Sequence, residues 1–390
     1  MNKIKLGDCI EVKRGTSLSG DFYSETGDKI RLTLGNFNYP NGGFKQNSSK
    51  KDIYFTGKVK SEFILKKGDI ITPLTEQVSG LLGETAIIPE SNLYIQSGDI
   101  GLVLPDETIV DKNFIYYLLS SPIVKKQLSA GAQQTKIRHT SPEKIKDCEV
   151  MLPDLLTQEI FGKILKSIDD QIERNNTMVQ KLQDLGNTIY SKIFKDCKDY
   201  VSLYDYPYLK LLKPGIDYFK DEKTYIPTAE VNENNINFNS SKITFDNRES
   251  RANMQPIYNS IWFAKMKNSN KHIYLTEKDK FIVENFIFST GFCGLECKDF
   301  AFEYLIGTLE LPYFEETKDK LSHGATMESI NNDDLKSLII KNPPKELLEK
   351  YHSKTKDIYM QISLLRMENF KLDTLKNNLL PLLINNQLEI

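Results

Sequence analysis

Glutamine, arginine, lysine, threonine and histidine crowd into a few short, turn-rich segments of this 390-residue chain. The segment GAQQTKIRHTSPEKI (Gly131–Ile145) sets Gln133, Gln134, Thr135, Lys136, Arg138 and His139 in one turn region. Gln and Arg present paired polar atoms that fit purine edges, while Lys and Thr suit phosphate oxygens. TPLTEQVSG adds Thr72, Thr75 and Gln77 after a strand, and IRLTLGNFNYPNGGFKQ adds Arg31, Asn36, Asn38 and Lys45 around a turn. The second half repeats the chemistry: Arg248 and Arg251 in DNRESRANMQP, Lys265, Lys267 and Lys271 in AKMKNSNKH, and His323 in a loop corresponding to that of His139. One such cluster is what any solvated loop would show. Two halves that both carry them point to a nucleic acid as ligand.

Catalytic signatures are missing. The chain has no GxxxxGK[ST] phosphate loop, no GxGxxG opening a helix, no GxSxG elbow and no HExxH. Asn342-Pro343-Pro344 resembles the Asn-Pro-Pro-aromatic loop of amino-methyltransferases, but Lys345 stands where the base-stacking ring belongs. Cys9, Cys148, Cys197, Cys293 and Cys297 are scattered and odd in number, which suits reduced thiols in a cytoplasm, and none forms a zinc-spaced set, so no metal is expected. No apolar run reaches the ~20 residues of a membrane span, and MNKIKLGDCIEVKRG has no apolar leader core. The expectation is a cytoplasmic protein with no membrane partner. The net charge of −2 excludes a uniformly basic protein, not a local basic surface. Lys45, Lys50, Lys51, Lys58, Lys60, Lys66 and Lys67 face only Asp52 and Glu62 between Asn41 and Lys67.

What would hold these loops is a duplicated unit. Two helix-patterned stretches open after prolines at a constant offset (343 − 153 = 190), pairing Phe161 with Tyr351, Ile168 with Ile358, Ile172 with Ile362 and Leu182 with Leu372. The preceding helices FIYYLLSS and FAFEYLIG also correspond. The chain therefore divides into residues 1–153, a first strand-rich globular segment; 154–199, a long helix; 200–342, a second globular segment; and 343–390, a second long helix. The class is α+β. Strands are expected in EFILKKGDIITPL, GETAIIP, GDIGLVLP and EVMLP, and in YIPTAEV, NINFN, IWFAKM and FIVENFIFSTGF, with helices at Phe114–Leu128 and Phe300–Thr308. Ile168, Asn175, Leu182 and Ile189, with Gln171, Met178 and Leu185 between them, form an a/d seam; Ile358, Leu365, Leu372 and Leu379, with Leu375 and Leu382, form its partner. The helices should pack on one another, with Gln171 and Asn175 fixing register. Pro381 should kink or stop the second helix, and His352 should face solvent.

These residues resemble the specificity subunit of type I restriction–modification systems. The resemblance rests on IRLTLGNFNYPNGGFK, ILKKGDIITPLTEQVSGLLGETAIIPE, AQQTKIRHTSPEKIKDCEVMLP with the helix after it, and RESRANMQP…IWFAKM…STGF. It implies two target-recognition domains, each reading one half of a split DNA site, joined by an antiparallel coiled coil that sets the gap. It also implies docking of two methyltransferase subunits and of restriction/translocase subunits. S-adenosylmethionine, ATP and Mg would bind to those partners, and this chain would hold no cofactor and catalyse nothing. The TQE of Thr157–Glu159 has no counterpart in NPPKELLEKYHSK, which weakens the implied docking at the second helix. A stand-alone two-headed regulator, or a phage- or plasmid-borne subunit that exchanges into a host complex or blocks it, is the alternative.

Overall fold

The computed structural model describes every residue except 1, 40–41, 48–49, 77–79, 131–137, 239, 325–327 and 385–390. The chain forms two compact units, Met1–Asp170 with Asp373–Ile390, and Gln171–Leu372.

In the first unit Asn2–Lys5 pairs antiparallel with Glu149–Leu152, closing the globular part just before Pro153. A four-stranded antiparallel sheet runs Ile10–Arg14, Ile100–Pro105, Ile70–Pro73, Ala86–Ile87. A second sheet runs Tyr23–Ser24, Tyr54–Phe55, Ile30–Arg31, Tyr94–Ile95, with the last pair parallel. The expected single helix at Phe114–Leu128 is two, Lys112–Leu119 and Pro122–Ala130, because proline lacks the N–H that would continue the ladder. Asp111 caps the first by accepting from Phe114 N at 2.8 Å. Ile10, Val12, Ile70, Val103, Phe114 and Leu118 form the core, and Phe161, Leu165 and Leu383 of the long helices close it.

The second unit repeats this plan. Tyr200–Ser202 pairs antiparallel with Ile339–Lys341. The four-stranded antiparallel sheet runs Leu209–Leu211, Phe292–Cys297, Ser260–Ala264, His272–Leu275, the same sequence of hairpins and crossovers as in the first unit. The second sheet runs Lys242–Ile243, Lys223–Ile226, Phe286–Ser289, Ala252–Met254, again with one parallel pair, Lys223–Ile226 on Phe286–Ser289. Helices Asp299–Leu309 and Pro312–Leu321 follow, as Lys112–Leu119 and Pro122–Ala130 do in the first half. Strand order cannot be produced by sliding apolar stripes into register, so the shared order of the four-stranded antiparallel sheets supports the duplication, while the second sheets differ in strand order. Much of FIVENFIFSTGF is not strand: Lys280–Asn285 is helical, and strand begins at Phe286. IRLTLGNFNYPNGGFKQ contributes only Ile30–Arg31 and a 3-10 turn at Leu34–Asn36, with Phe37 bridged to Phe44.

The long helices are Leu155–Phe194 and Lys345–Ile384. They pack antiparallel within each unit: Lys376 Nζ lies 2.8 Å from Asp169 Oδ1 in the first, while in the second Asn175 meets Asn369 and Tyr351 Oη donates to Gly186 O at 3.1 Å. Phe161, Leu165, Ile168, Asn175 and Val179 are buried, and Ile172 and Leu182 are partly so. The second seam row is thus displaced by one residue from the expected one. Met178 and Leu185 are 49% and 48% exposed, and Val179 and Gly186 take the inward places. On the partner helix Leu375 is exposed, while Tyr351, Tyr359 and Ile362 are buried. The second helix continues through Pro381, so it does not stop there. His352 does not face solvent freely: its Nδ1 lies 2.8 Å from Oε2 of the buried Glu303.

Candidate nucleic-acid interface

Strand register puts the loop clusters of the two halves at one topological address. Thr72 and Trp262, each the third residue of its strand, pair with glycines, Gly101 in the first sheet and Gly294 in the second. Counting three residues onward, Lys265 occupies the place of Thr75, Met266 that of Glu76 and Lys267 that of Gln77. A returning loop meets this strand exit in both halves. Arg138 and His139 pair with Glu76 and Thr75, and Ser329 bridges to Met266. Two segments far apart in sequence are thereby held side by side, which is what a multi-residue reading surface requires.

In the first half the exit is fixed from within: the Glu76 carboxylate accepts Gly80 N and Leu82 N at 3.1 Å each. Gln77, Gln133, Gln134, Thr135 and Lys136 lie outside the described residues, and Arg138 is placed by its backbone alone. His139 is exposed at the end of the short ladder. Four of the expected contacts are instead buried. Arg31 stacks on Tyr23 at 3.7 Å and pairs with Asp52 at 3.3 Å. Asn36 accepts Thr33 N at 2.9 Å and donates to Lys45 O at 3.2 Å, tying the turn together. Thr72 and Thr75 sit on buried strands. Lys45 is exposed and Asn38 half-buried.

In the second half a cleft of about 570 Å³ opens at the same address, lined by Arg251, Lys265, Thr290, Gly291, Ser329 and Asn331 among others. Burial holds the Lys265 ammonium below its usual range, opposed by the Cys293 thiol and reinforced by the neighbouring Arg251 cation. Among the described residues neither Arg251 nor Lys265 has a carboxylate within ion-pair distance, though Asp333 also lines the cleft, so two cations and one carboxylate face it. Lys267 pairs with Glu328 at 2.8 Å, and Lys271 Nζ donates to Thr228 O at 2.8 Å, with burial lowering its pKa. Arg248 lies over the Phe245 ring at 4.4 Å, apart from the cleft lining. His323 is exposed and borders the cleft through Asn331, whose Nδ2 is 3.3 Å from its Nε2. Thr290, Ser329 and Asn331 went unnoticed in the sequence. The Asn331-Asn332-Asp333-Asp334 run was the one available signal, since such residues build tight turns.

Other chemistry is poorly supported. Among the described residues no group of three His, Cys, Asp or Glu side chains could hold a metal, and no helix is long and apolar enough to cross a membrane. Burial raises the thiols of Cys9 and Cys148 to about 11 and Cys293 to about 12, which removes thiolate reactivity.

Residues 1–184 match the model of the type I restriction modification DNA specificity domain. The MjaVIII type I restriction enzyme specificity subunit of Methanocaldococcus jannaschii is 28% identical over 176 residues, 44% of this chain and 40% of that protein. A putative specificity subunit of Haemophilus influenzae, S.HindORF215P, is 26% identical over 175 residues, 43% of this chain and 40% of that one. Both matches span less than half of each relative. The crystal structure of the type I restriction-modification S subunit from M. genitalium superposes with a TM-score of 0.57 at 13% identity, covering 98% of this chain and 96% of that one. This specificity-subunit fold therefore extends over both halves, including the half outside the family match.

Proposed function

We propose that this chain is the DNA-recognition subunit of a type I restriction–modification complex, and that each half reads one part of a bipartite double-stranded site. The observation that carries the reading is the repeated address: in both halves a strand exit and a returning loop converge, and in the second they enclose the Arg251–Lys265 cleft. Arg251 and Lys265 suit phosphates, while His139, His323 and the amides of Asn331 and Asn332 suit base edges or bridging water. The long helices set the unspecified gap between half-sites and dock two methyltransferase subunits, which a restriction/translocase subunit joins. Adenine methylation with S-adenosylmethionine, and cleavage driven by ATP and Mg, are steps of those partners, and this chain contributes sequence choice rather than catalysis.

Modification mapping of the source cell with and without this gene tests the reading. A split adenine-methylated motif should vanish on deletion and return on complementation. Persistence of every methylated motif after deletion would overturn it.

A further inference from the structure

Lys265, Lys267 and Lys271 all belong to the turn joining Ser260–Ala264 to His272–Leu275, and that turn is gripped by helix Pro312–Leu321. Lys318 of that helix is 0% exposed. Its Nζ donates to Ser269 O at 2.8 Å and Ala264 O at 3.3 Å, near the two ends of the turn, and also to Glu315 Oε2. The other Glu315 oxygen lies 3.1 Å from His272 Nε2. Asp319 Oδ1 accepts Asn268 N at 2.9 Å, and Asn268 sits at φ +55°, a left-handed conformation that asparagine tolerates better than most residues. An ammonium is among the most expensive groups to remove from water, so one with a full set of acceptors is a specified feature. The fold does not demand it. Helices Pro122–Ala130 and Pro312–Leu321 start at equivalent prolines, so Leu128 stands where Lys318 does, and Leu128 is buried in an apolar core. The first half, whose strand exit is tied down by Glu76, manages with leucine.

We propose that Lys318, with Glu315 and Asp319, is a positioning clamp that fixes the 265–271 turn and thereby sets how sharply the second half discriminates among DNA sequences. This rests on the DNA-recognition reading above. Lys318 touches no ligand; it acts through the backbone of residues that line or flank the cleft. Burial works to raise the Glu315 carboxyl, and the hydrogen bonds from His272 and Lys318 outweigh it, leaving the group below its usual range and charged.

The test uses the full chain carrying Lys318→Leu with Glu315→Gln, which removes both buried charges and installs the side chain found in the first half. Two readouts are taken: amide hydrogen exchange across 265–271, and selection from a randomised double-stranded DNA library. Faster exchange in the turn is expected, with discrimination at the second half-site falling roughly 10-fold and the first half-site unchanged. Should that variant not fold, Asp319→Ala carries the test, with faster exchange at Asn268 and discrimination loosened about threefold. Wild-type exchange and wild-type discrimination in a folded variant would overturn the clamp, as would equal loosening of both half-sites. If the wild-type chain selects no sequence while the variant turn still exchanges faster, the recognition reading fails and the clamp on the turn stands.

Discussion

Asn175 lies on the helix seam of the second unit, 4% exposed, and both ends of its amide are hydrogen-bonded. Its Nδ2 donates to Asn369 Oδ1 at 2.9 Å, and its Oδ1 accepts Gln171 Nε2 at 3.0 Å; Asn369 Nδ2 in turn donates to Asn176 Oδ1 at 2.8 Å. Net hydrogen bonds contribute about 0.5–1.5 kcal/mol each, and a buried polar group left without its partner costs about 1–3 kcal/mol. Asn175→Leu breaks two bonds and strands part of Asn369, so a loss of about 2–4 kcal/mol is expected. Asn369→Leu should cost somewhat less, because its side chain is only half-buried. The double leucine variant removes both partners and adds apolar contact, as replacing a buried polar pair often does without loss. It should recover most of the deficit, giving a coupling of about 1–3 kcal/mol in the double-mutant cycle. Urea unfolding of the four proteins, followed by a signal from the second unit, measures this. Additivity within about 0.5 kcal/mol would refute the reasoning, because the two amides would then not depend on one another. A stable double variant with loosened helix register, visible as heterogeneous amide resonances along the seam, is the complementary expectation, since a polar seam residue specifies alignment more than stability.

Gly162→Ala should destabilise the first unit by about 1–2 kcal/mol in thermal unfolding, because overpacking outweighs the helix-propensity gain: the new Cβ would stand 2.5 Å from Asp111 Oδ1 and 2.9 Å from Phe114 N. Gly186→Ala meets only the Tyr359 side chain, its hydroxyl at 3.0 Å and its ring at 3.4 Å, and should cost less than Gly162→Ala; equal losses at both sites would contradict the packing. Burial raises the carboxyls of Asp279, Glu303 and Glu310 above their ordinary values, so they favour folding at low pH and lose that contribution as pH rises from the ordinary carboxylate range through their raised folded values. Glu310→Gln should flatten the decline in melting temperature with pH, and an unchanged slope would refute the assignment. Replacing residues from about Ser202 to Ile340 with those of a relative should alter one half of the methylated motif only, and simultaneous change of both halves would end the two-headed reading.

The long helices, their duplication and the polar seam at Asn175 were legible because heptad spacing and proline position are local signals. The second seam row was misplaced by one residue for a definite reason. Met178 and Leu185 are the apolar residues a reader selects, yet Gly186 is the one turned inward, where the Tyr359 ring closes on it. The apolar weight on that side comes from the facing helix. Arg31, Asn36, Thr72 and Thr75 failed as surface contacts for a related cause. Their residue types fit DNA, but the same types satisfy buried backbone and ring faces, and only the fold shows which use prevails. The Arg251–Lys265 cleft was half legible. Its cations stood out as a basic run, whereas Thr290 and Ser329 come from turns that only the strand register brings together.

That register also exposes how the two copies diverged. Ile71 pairs with Ala86, and Ile261, its equivalent, pairs with Tyr274, so two residues earlier Glu84 and His272 occupy one position. Lys125 and Glu315 likewise share a helix position, three residues beyond Pro122 and Pro312. Each half therefore joins sheet to helix through a polar pair at the same place: Glu84, 3% exposed, with Lys125 in the first, and His272 with Glu315 in the second. The carboxylate stands on the sheet side in the first half and on the helix side in the second. Exchange of the two helices during folding would set Glu315 beside Glu84, two carboxylates in a site where burial already raises Glu84 against the pull of Lys125 and Lys376. Lys125 would meet His272, which offers no anion. Such a swap forfeits both pairs and adds a like-charge contact, whereas apolar packing alone would barely distinguish two helices of one ancestry. A duplicated fold gains from chemistry that tells its copies apart, and the exchanged polar pair stands at the helix that, in the second half, also bears Lys318.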